Sequence, residues 1–195
     1  MKSGRNWGRL GMKYEWKECT IGDLCDTISE TYKKGHNEVV LINTSDVLEG
    51  KVLNRTPVEN KQLKGQFKKT FKKYDILYSE IRPANRRYAF IDFENTENYI
   101  ASTKLMVLRP RENMVLPVFL YLILTSQTII NELQHLAETR SGTFPQITFS
   151  SELATMPIML PPLETQEQIA SIISTLDDKI ELNNKINENL RLSAA

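Results

Sequence analysis

Leu160-Pro161-Pro162-Leu163-Glu164-Thr165-Gln166-Glu167-Gln168-Ile169-Ala170 is where the chain changes character. A double proline stiffens the backbone, and a long polar-apolar stretch follows to about Leu192. Thr165 and Gln168 fit a capping box, in which a hydroxyl and an amide satisfy free backbone N–H groups reciprocally. Beyond it, Ile169, Ile172, Ile173, Leu176, Ile180, Ile186 and Leu190 recur at helical spacing. About 28 residues at ~1.5 Å each predict a rod of roughly 42 Å. An apolar stripe on such a rod usually packs on another rod, so the stretch reads as a spacer and docking strip.

Working outward, the 195 residues fit one domain plus this appendage. The longest apolar run, Val115 to Leu124, is interrupted by Pro117 and is too short to span a bilayer. Residues 1–12 have charge and glycine but no apolar core, so they read as a disordered leader rather than a signal peptide. Cys19 and Cys25 read as reduced thiols. With the distant His36 and His135 they form no zinc constellation.

The net charge of +1 conceals a strong division. From Lys51 to Arg87 eleven bases face three acids, a net of +8, whereas from Glu164 to Arg191 six acids face three bases. The basic middle favours a polyanion and the acidic rod a protein partner.

Local patterns predict a short helix at Ile21–Leu24 capped by Thr20, and strands at Glu38–Ile42, Lys51–Val58, Tyr74–Ser79, Tyr88–Phe93, Ala101–Arg109 and Met156–Leu160. They also predict one helix over Pro117–Ala137, and a turn capped by Ser150 or Ser151. The fold class is α+β: a mixed-sheet domain over residues 13–160, then a long coiled-coil-forming helix over 161–195.

Three segments compete for chemistry. Lysines 61, 64, 68, 69, 72 and 73 form either a solvated face or a set of phosphate contacts, with Lys68, Lys69, Lys72 and Lys73 the contact candidates. Ile81-Arg82-Pro83-Ala84-Asn85-Arg86-Arg87-Tyr88 is a proline-stiffened loop. Its arginines suit guanine edges and phosphates, and its asparagine suits adenine. The alternative is that some of these arginines pair with Asp92 and Glu94. Thr139 to Gln146 is a second reading loop or a plain connector. Asp23 or Asp26 with Glu49-Gly50-Lys51 matches the acids and lysine of Mg-dependent nucleases, but reads better as a turn. Motifs for nucleotide cofactors, for serine hydrolases and for methyltransferase base capture are missing, so neither cofactor nor metal is expected.

Taken in order, several stretches resemble one half of a type I restriction-modification specificity subunit. They are Trp16 with Ile21-Gly22-Asp23-Leu24, Ile42 to Val47, Tyr74 to Ser79, Arg82 to Phe90, Ser102 to Arg109, Gly142 to Ile147, and Leu160 to Gln166 with Leu176 to Glu181. The resemblance implies one target-recognition domain and one spacer helix, without catalytic activity. It implies a cytoplasmic protein whose partners are double-stranded DNA, a methyltransferase subunit and a restriction subunit. Such family members usually carry two recognition domains and two helical segments. This chain is then either a half-subunit, paired through its helix with itself or another half, or a piece of a longer one. The DNA-facing candidates become Arg82, Asn85, Arg86, Arg87, Lys104, Thr143 and Gln146. The helix seam becomes Ile169, Ile173, Leu176, Ile180 and Leu190, with Asn183 and Asn187 fixing register. The competing reading is a self-contained Mg-dependent endonuclease using Glu49 and Lys51.

Overall fold

Ile76-Leu77-Tyr78-Ser79 and Leu105-Met106-Val107-Leu108 are strands buried on both faces, and they set the layering of the domain. Successive side chains of a strand point to opposite sides. Ile76, Tyr78, Met106 and Leu108 accordingly enter a core shared with helices. Leu77, Leu105 and Val107 enter a second core shared with another sheet.

The computed structural model describes residues 15–33, 35–61 and 65–193; the expected leader and Lys64 lie outside them. The first elements are β1 (Lys17–Thr20), α1 (Ile21–Leu24), β2 (Cys25–Ile28), β3 (Glu38–Ile42), β4 (Val47–Leu48), β5 (Lys51–Val52) and β6 (Val58–Glu59). Then come β7 (Phe67–Lys69), β8 (Ile76–Ser79), β9 (Tyr88–Phe90), β10 (Tyr99–Ser102) and β11 (Leu105–Pro110). Helices α2 (Pro117–Thr125) and α3 (Gln127–Arg140), strand β12 (Pro157–Leu160) and helix α4 (Leu163–Ser193) complete the chain. One four-stranded sheet runs β2-β11-β8-β9, all antiparallel. The other runs β6-β3-β10-β7, with β3 and β10 parallel. The layers are therefore helices, sheet, sheet, which is the expected α+β class.

Several boundaries differ from expectation. The predicted Ala101–Arg109 strand is two strands in different sheets, split at Thr103-Lys104, where the Ser102 hydroxyl accepts the Lys104 N–H. Lys51–Val58 holds only β5 and the start of β6. Between them the Asn54 side chain donates to the Leu41 carbonyl at 2.8 Å and accepts the Thr56 N–H, so the chain turns. The single helix over 117–137 breaks at Ser126, which leaves helical geometry and caps α3. Thr148, not Ser150 or Ser151, caps the turn over Phe149–Leu153.

The ends meet through β1 and β12, which pair antiparallel. The Thr20 cap on α1 is present as expected, with the Asp23 carboxylate accepting both the Thr20 N–H and its hydroxyl. Cys19 and Cys25 are unbridged, and burial pushes the Cys25 thiol up to about 12. Asp75 is wholly buried and takes two 2.8 Å bonds from the Arg109 guanidinium, a bidentate clamp between β8 and β11.

Helix α4 starts at Leu163, two residues before the expected cap. Thr165 is already inside it, and its buried hydroxyl has no hydrogen-bond partner. Gln166 takes the structural role instead. Its amide is 1% exposed, accepts the Leu116 N–H and donates to the Pro161 carbonyl, both at 2.9 Å. Thirty-one residues make a rod of about 46 Å. Only its start is docked: Ala170 is buried and Ile169 packs on the helical core. From Ser174 to Arg191 every described side chain is exposed.

Candidate nucleic-acid interface

Two loops far apart in sequence come together beside β11. Ile81 and Gln146 form an antiparallel bridge, Arg82 N–H donates to the Pro145 carbonyl at 3.1 Å, and Ile147 N–H donates to the Glu80 carbonyl at 2.8 Å. The Arg82–Arg87 loop and the Thr143–Gln146 loop thus share one surface.

The first loop is tightly held. Pro83–Asn85 form a single 3-10 turn, and the arginines at its two ends, Arg82 (φ 47) and Arg86 (φ 53), are left-handed. Such geometry is costly for non-glycine residues and persists only where surroundings impose it. Helix α3 supplies part of that restraint. The Gln134 Oε1 accepts the Ala84 N–H at 3.0 Å, and the Gln127 Oε1 accepts from the Arg86 guanidinium. The β4–β5 hairpin supports the other side through Glu49 N–H to the Arg86 carbonyl at 3.0 Å. Its turn residues, Glu49 (φ 44) and Gly50 (φ 93), both have positive φ, as a tight two-residue hairpin requires. At Gly50 a Cβ would also fall 2.4 Å from the Tyr121 hydroxyl.

The charged candidates divide by whether protein groups already hold them. Arg87 donates to the Ser45 and Val47 carbonyls at 3.1 and 3.4 Å and so pins the entry to β4. Arg86 lies 3.9 Å from Glu49. Lys104 lies 3.5 Å from Glu80 and 3.4 Å from the Gln146 oxygen, while Gln146 donates to the same Glu80 at 3.0 Å. Lys73 pairs with Glu94 at 2.6 Å, so Glu94 serves a lysine and not the arginines of the loop. Lys69 is half-buried and its ammonium donates to the Thr103 and Leu105 carbonyls at 3.0 and 2.8 Å. Burial lowers its pKa, and it stitches β7 to the β10–β11 turn instead of standing free for a phosphate. Lys68, Lys72, Arg82, Asn85 and Thr143 are exposed, and no side-chain partner holds them among the described residues.

The acids of the nuclease reading have other partners. Asp23 caps α1, Asp26 holds Arg111 in two bonds of 3.1 and 2.6 Å, and Glu49 sits in the hairpin turn with Lys51 on β5 beside it. Arg111 holds the Asp26 carboxyl below its ordinary range. Among the described residues no three His, Cys, Asp or Glu side chains converge as a metal site.

Residues 13–192 match the family described as the type I restriction modification DNA specificity domain. The chain belongs to that family. It is 49% identical over 177 residues to the type I restriction enzyme HindI specificity subunit of Haemophilus influenzae, covering 90% of this chain and 38% of that one. It is 31% identical over 112 residues to a putative type I restriction enzyme MjaX specificity subunit of Methanocaldococcus jannaschii, covering 57% of this chain and 26% of that one. The chain therefore spans well under half the length of these relatives. The crystal structure of the HsdS subunit from Thermoanaerobacter tengcongensis shares the fold, with a TM-score of 0.74 at 22% identity over 88% of this chain and 44% of that one.

Within this specificity domain, the structure brings Arg82, Asn85, Arg86, Lys104, Thr143 and Gln146 to one surface. Ile169 is not an open seam position, because it is packed on the domain's own core. Ile173 is half-covered, while Leu176, Ile180 and Leu190 are 53%, 58% and 63% exposed, and Asn183 and Asn187 are exposed between them. Residues missed in the sequence are Glu80, which joins Lys104 to Gln146, and Gln127 and Gln134, which brace the first loop. Their partners lie 41 to 66 positions away, beyond the reach of any local pattern. No helix among the described residues is long and apolar enough to cross a membrane.

Proposed function

We propose that residues 13–160 form a target-recognition domain that reads one part of a split DNA sequence, and that residues 161–195 form a spacer helix that docks partner subunits. The observation that carries this is the locked pair of loops, 82–87 and 143–146, presenting Arg82, Asn85 and Thr143 without side-chain partners among the described residues. Phosphate contact falls to Lys68 and Lys72, whose ammonium groups are likewise unheld there. Arg86, Lys104 and Gln146 begin in protein hydrogen bonds and exchange them for DNA groups. Lys69, Lys73 and Arg87 hold the scaffold.

The chain has no chemistry of its own in this reading. It works in the cytoplasm, bringing methyltransferase and restriction subunits to the site. The free stretch of α4 supports assembly: Leu176, Ile180, Asn183, Asn187 and Leu190 keep a seam spacing of three and four residues over about 22 Å of exposed helix. A second copy, or the corresponding helix of another half, packs antiparallel on it, since a self-complementary contact closes on itself.

Incubation of the chain with a pool of randomised duplexes, over a series of salt concentrations, tests the reading. A recurring sequence should be enriched, with an affinity that falls as salt rises. Salt-independent retention of the pool without enrichment would remove the recognition role.

A further inference from the structure

We propose that Arg82 and Phe144 act as a paired reader in one DNA groove, Arg82 taking a guanine edge and Phe144 packing on the methyl group of a thymine one or two base pairs away. The inference rests on the DNA-reading role above and adds a residue to it. Phe144 is 50% exposed at the tip of the second loop. Its backbone is held, with its N–H donating to the Ser141 hydroxyl at 3.2 Å and the next residue, Pro145, buried. Its ring borders a cleft of about 300 Å³ that is otherwise lined by Arg140, Ser141, Gln146 and Thr148, so no apolar side chain there covers it.

The backbone bond from Arg82 to Pro145 makes the two side chains neighbours across adjoining strands. Cross-strand and diagonal neighbours stand roughly 5–8 Å apart. That is about one to two rises of the duplex at 3.4 Å each. Guanine offers O6 and N7 to an arginine fork in the major groove, and the apolar feature of the same groove is the thymine methyl. A rigid exposed ring beside an unheld guanidinium matches that combination of edge and methyl.

The test is selection from a randomised duplex pool with the unmodified chain, Phe144→Ala, Phe144→Leu and Arg82→Ala, followed by replacement of each thymine of the enriched site by uracil. The unmodified chain should enrich a guanine with a thymine within two base pairs. Uracil at that thymine should weaken binding about fourfold, the scale of one buried methyl group. Phe144→Ala should bind the thymine and uracil duplexes equally while still requiring the guanine. Phe144→Leu should keep the thymine preference, and Arg82→Ala should lose the guanine. An enriched site with no uracil-sensitive thymine, or a uracil penalty that survives in Phe144→Ala, overturns the paired reader while leaving recognition intact. A pool with no enriched sequence overturns both.

Discussion

Gln166 and Leu116 are joined by a 2.9 Å hydrogen bond from the Leu116 N–H to the Gln166 Oε1, at the point where the rod leaves the domain. The same amide donates to the Pro161 carbonyl. Gln166→Leu keeps the volume but strands two backbone groups in a buried place. It should lower stability by about 1–3 kcal/mol. Thermal melts should show a midpoint several degrees lower with little loss of helical signal, and an unchanged midpoint would show that the amide is not a latch.

The lysines separate into contacts and stitches. Replacing Lys68 and Lys72 together by alanine should reduce the slope of log affinity against log salt by up to ~0.9 for each lost phosphate contact. Lys69→Ala should leave that slope unchanged and instead cost about 1–3 kcal/mol of stability, because the Thr103 and Leu105 carbonyls lose their donor. Binding titrations and denaturant melts on the same preparations distinguish the two behaviours.

Gln134→Ala removes the acceptor of the Ala84 N–H from the left-handed loop. The loop then samples more conformations, so an enriched duplex should bind about three- to tenfold more weakly, the worth of one hydrogen bond. Affinity for a scrambled duplex should not change, since the lysines are untouched.

Leu176 and Ile180 are exposed on the undocked part of α4. Leu176→Asp with Ile180→Asp should convert an associated species to monomer at micromolar concentration in sedimentation equilibrium. The globular domain's melting midpoint should stay the same, because neither side chain belongs to its core. Full association of the double variant would place the partner surface elsewhere.

Asp23 and Asp26 carry the clearest pH dependence. Hydrogen bonds from Thr20 hold Asp23 below its ordinary range, and Arg111 does the same for Asp26. Both folded-state values lie below the unfolded ones. Their stabilisation is therefore complete above the unfolded carboxylate range of about 4 and is lost as pH falls through the lower folded values. Asp26→Asn should be less stable than the unmodified chain at pH 7 and converge with it near pH 2, as followed by circular dichroism.

The elements that were legible in the sequence carry local chemistry. Thr20 and Asp23 cap α1 within four residues of each other, Glu38–Ile42 is β-branched throughout, and the rod's stripe repeats at short range. What was hidden depended on distant partners. Ser126 and the Thr103-Lys104 turn divide stretches whose apolar content alone reads as continuous. Thr165 has the composition of a cap, but Pro161-Pro162 start the helix earlier and bury its hydroxyl. Lys69 and Lys68 are adjacent and identical in type, yet strand alternation turns one toward carbonyls and the other to solvent. In the reading loop, the residue types were visible. The bracing by Gln127 and Gln134 was not, nor was the bridge that brings Gln146 to Ile81.

Fluorescence anisotropy with an enriched duplex and its scrambled counterpart, for the unmodified chain and for Arg82→Ala with Asn85→Ala, tests the central claim most directly. At physiological salt the unmodified chain should prefer the enriched duplex by at least roughly tenfold, one good base contact's worth. The double variant should bind both duplexes alike, at about the scrambled-duplex affinity. Equal affinities for the two duplexes in the unmodified chain, or a preference that survives the double substitution, would contradict recognition through the locked pair of loops.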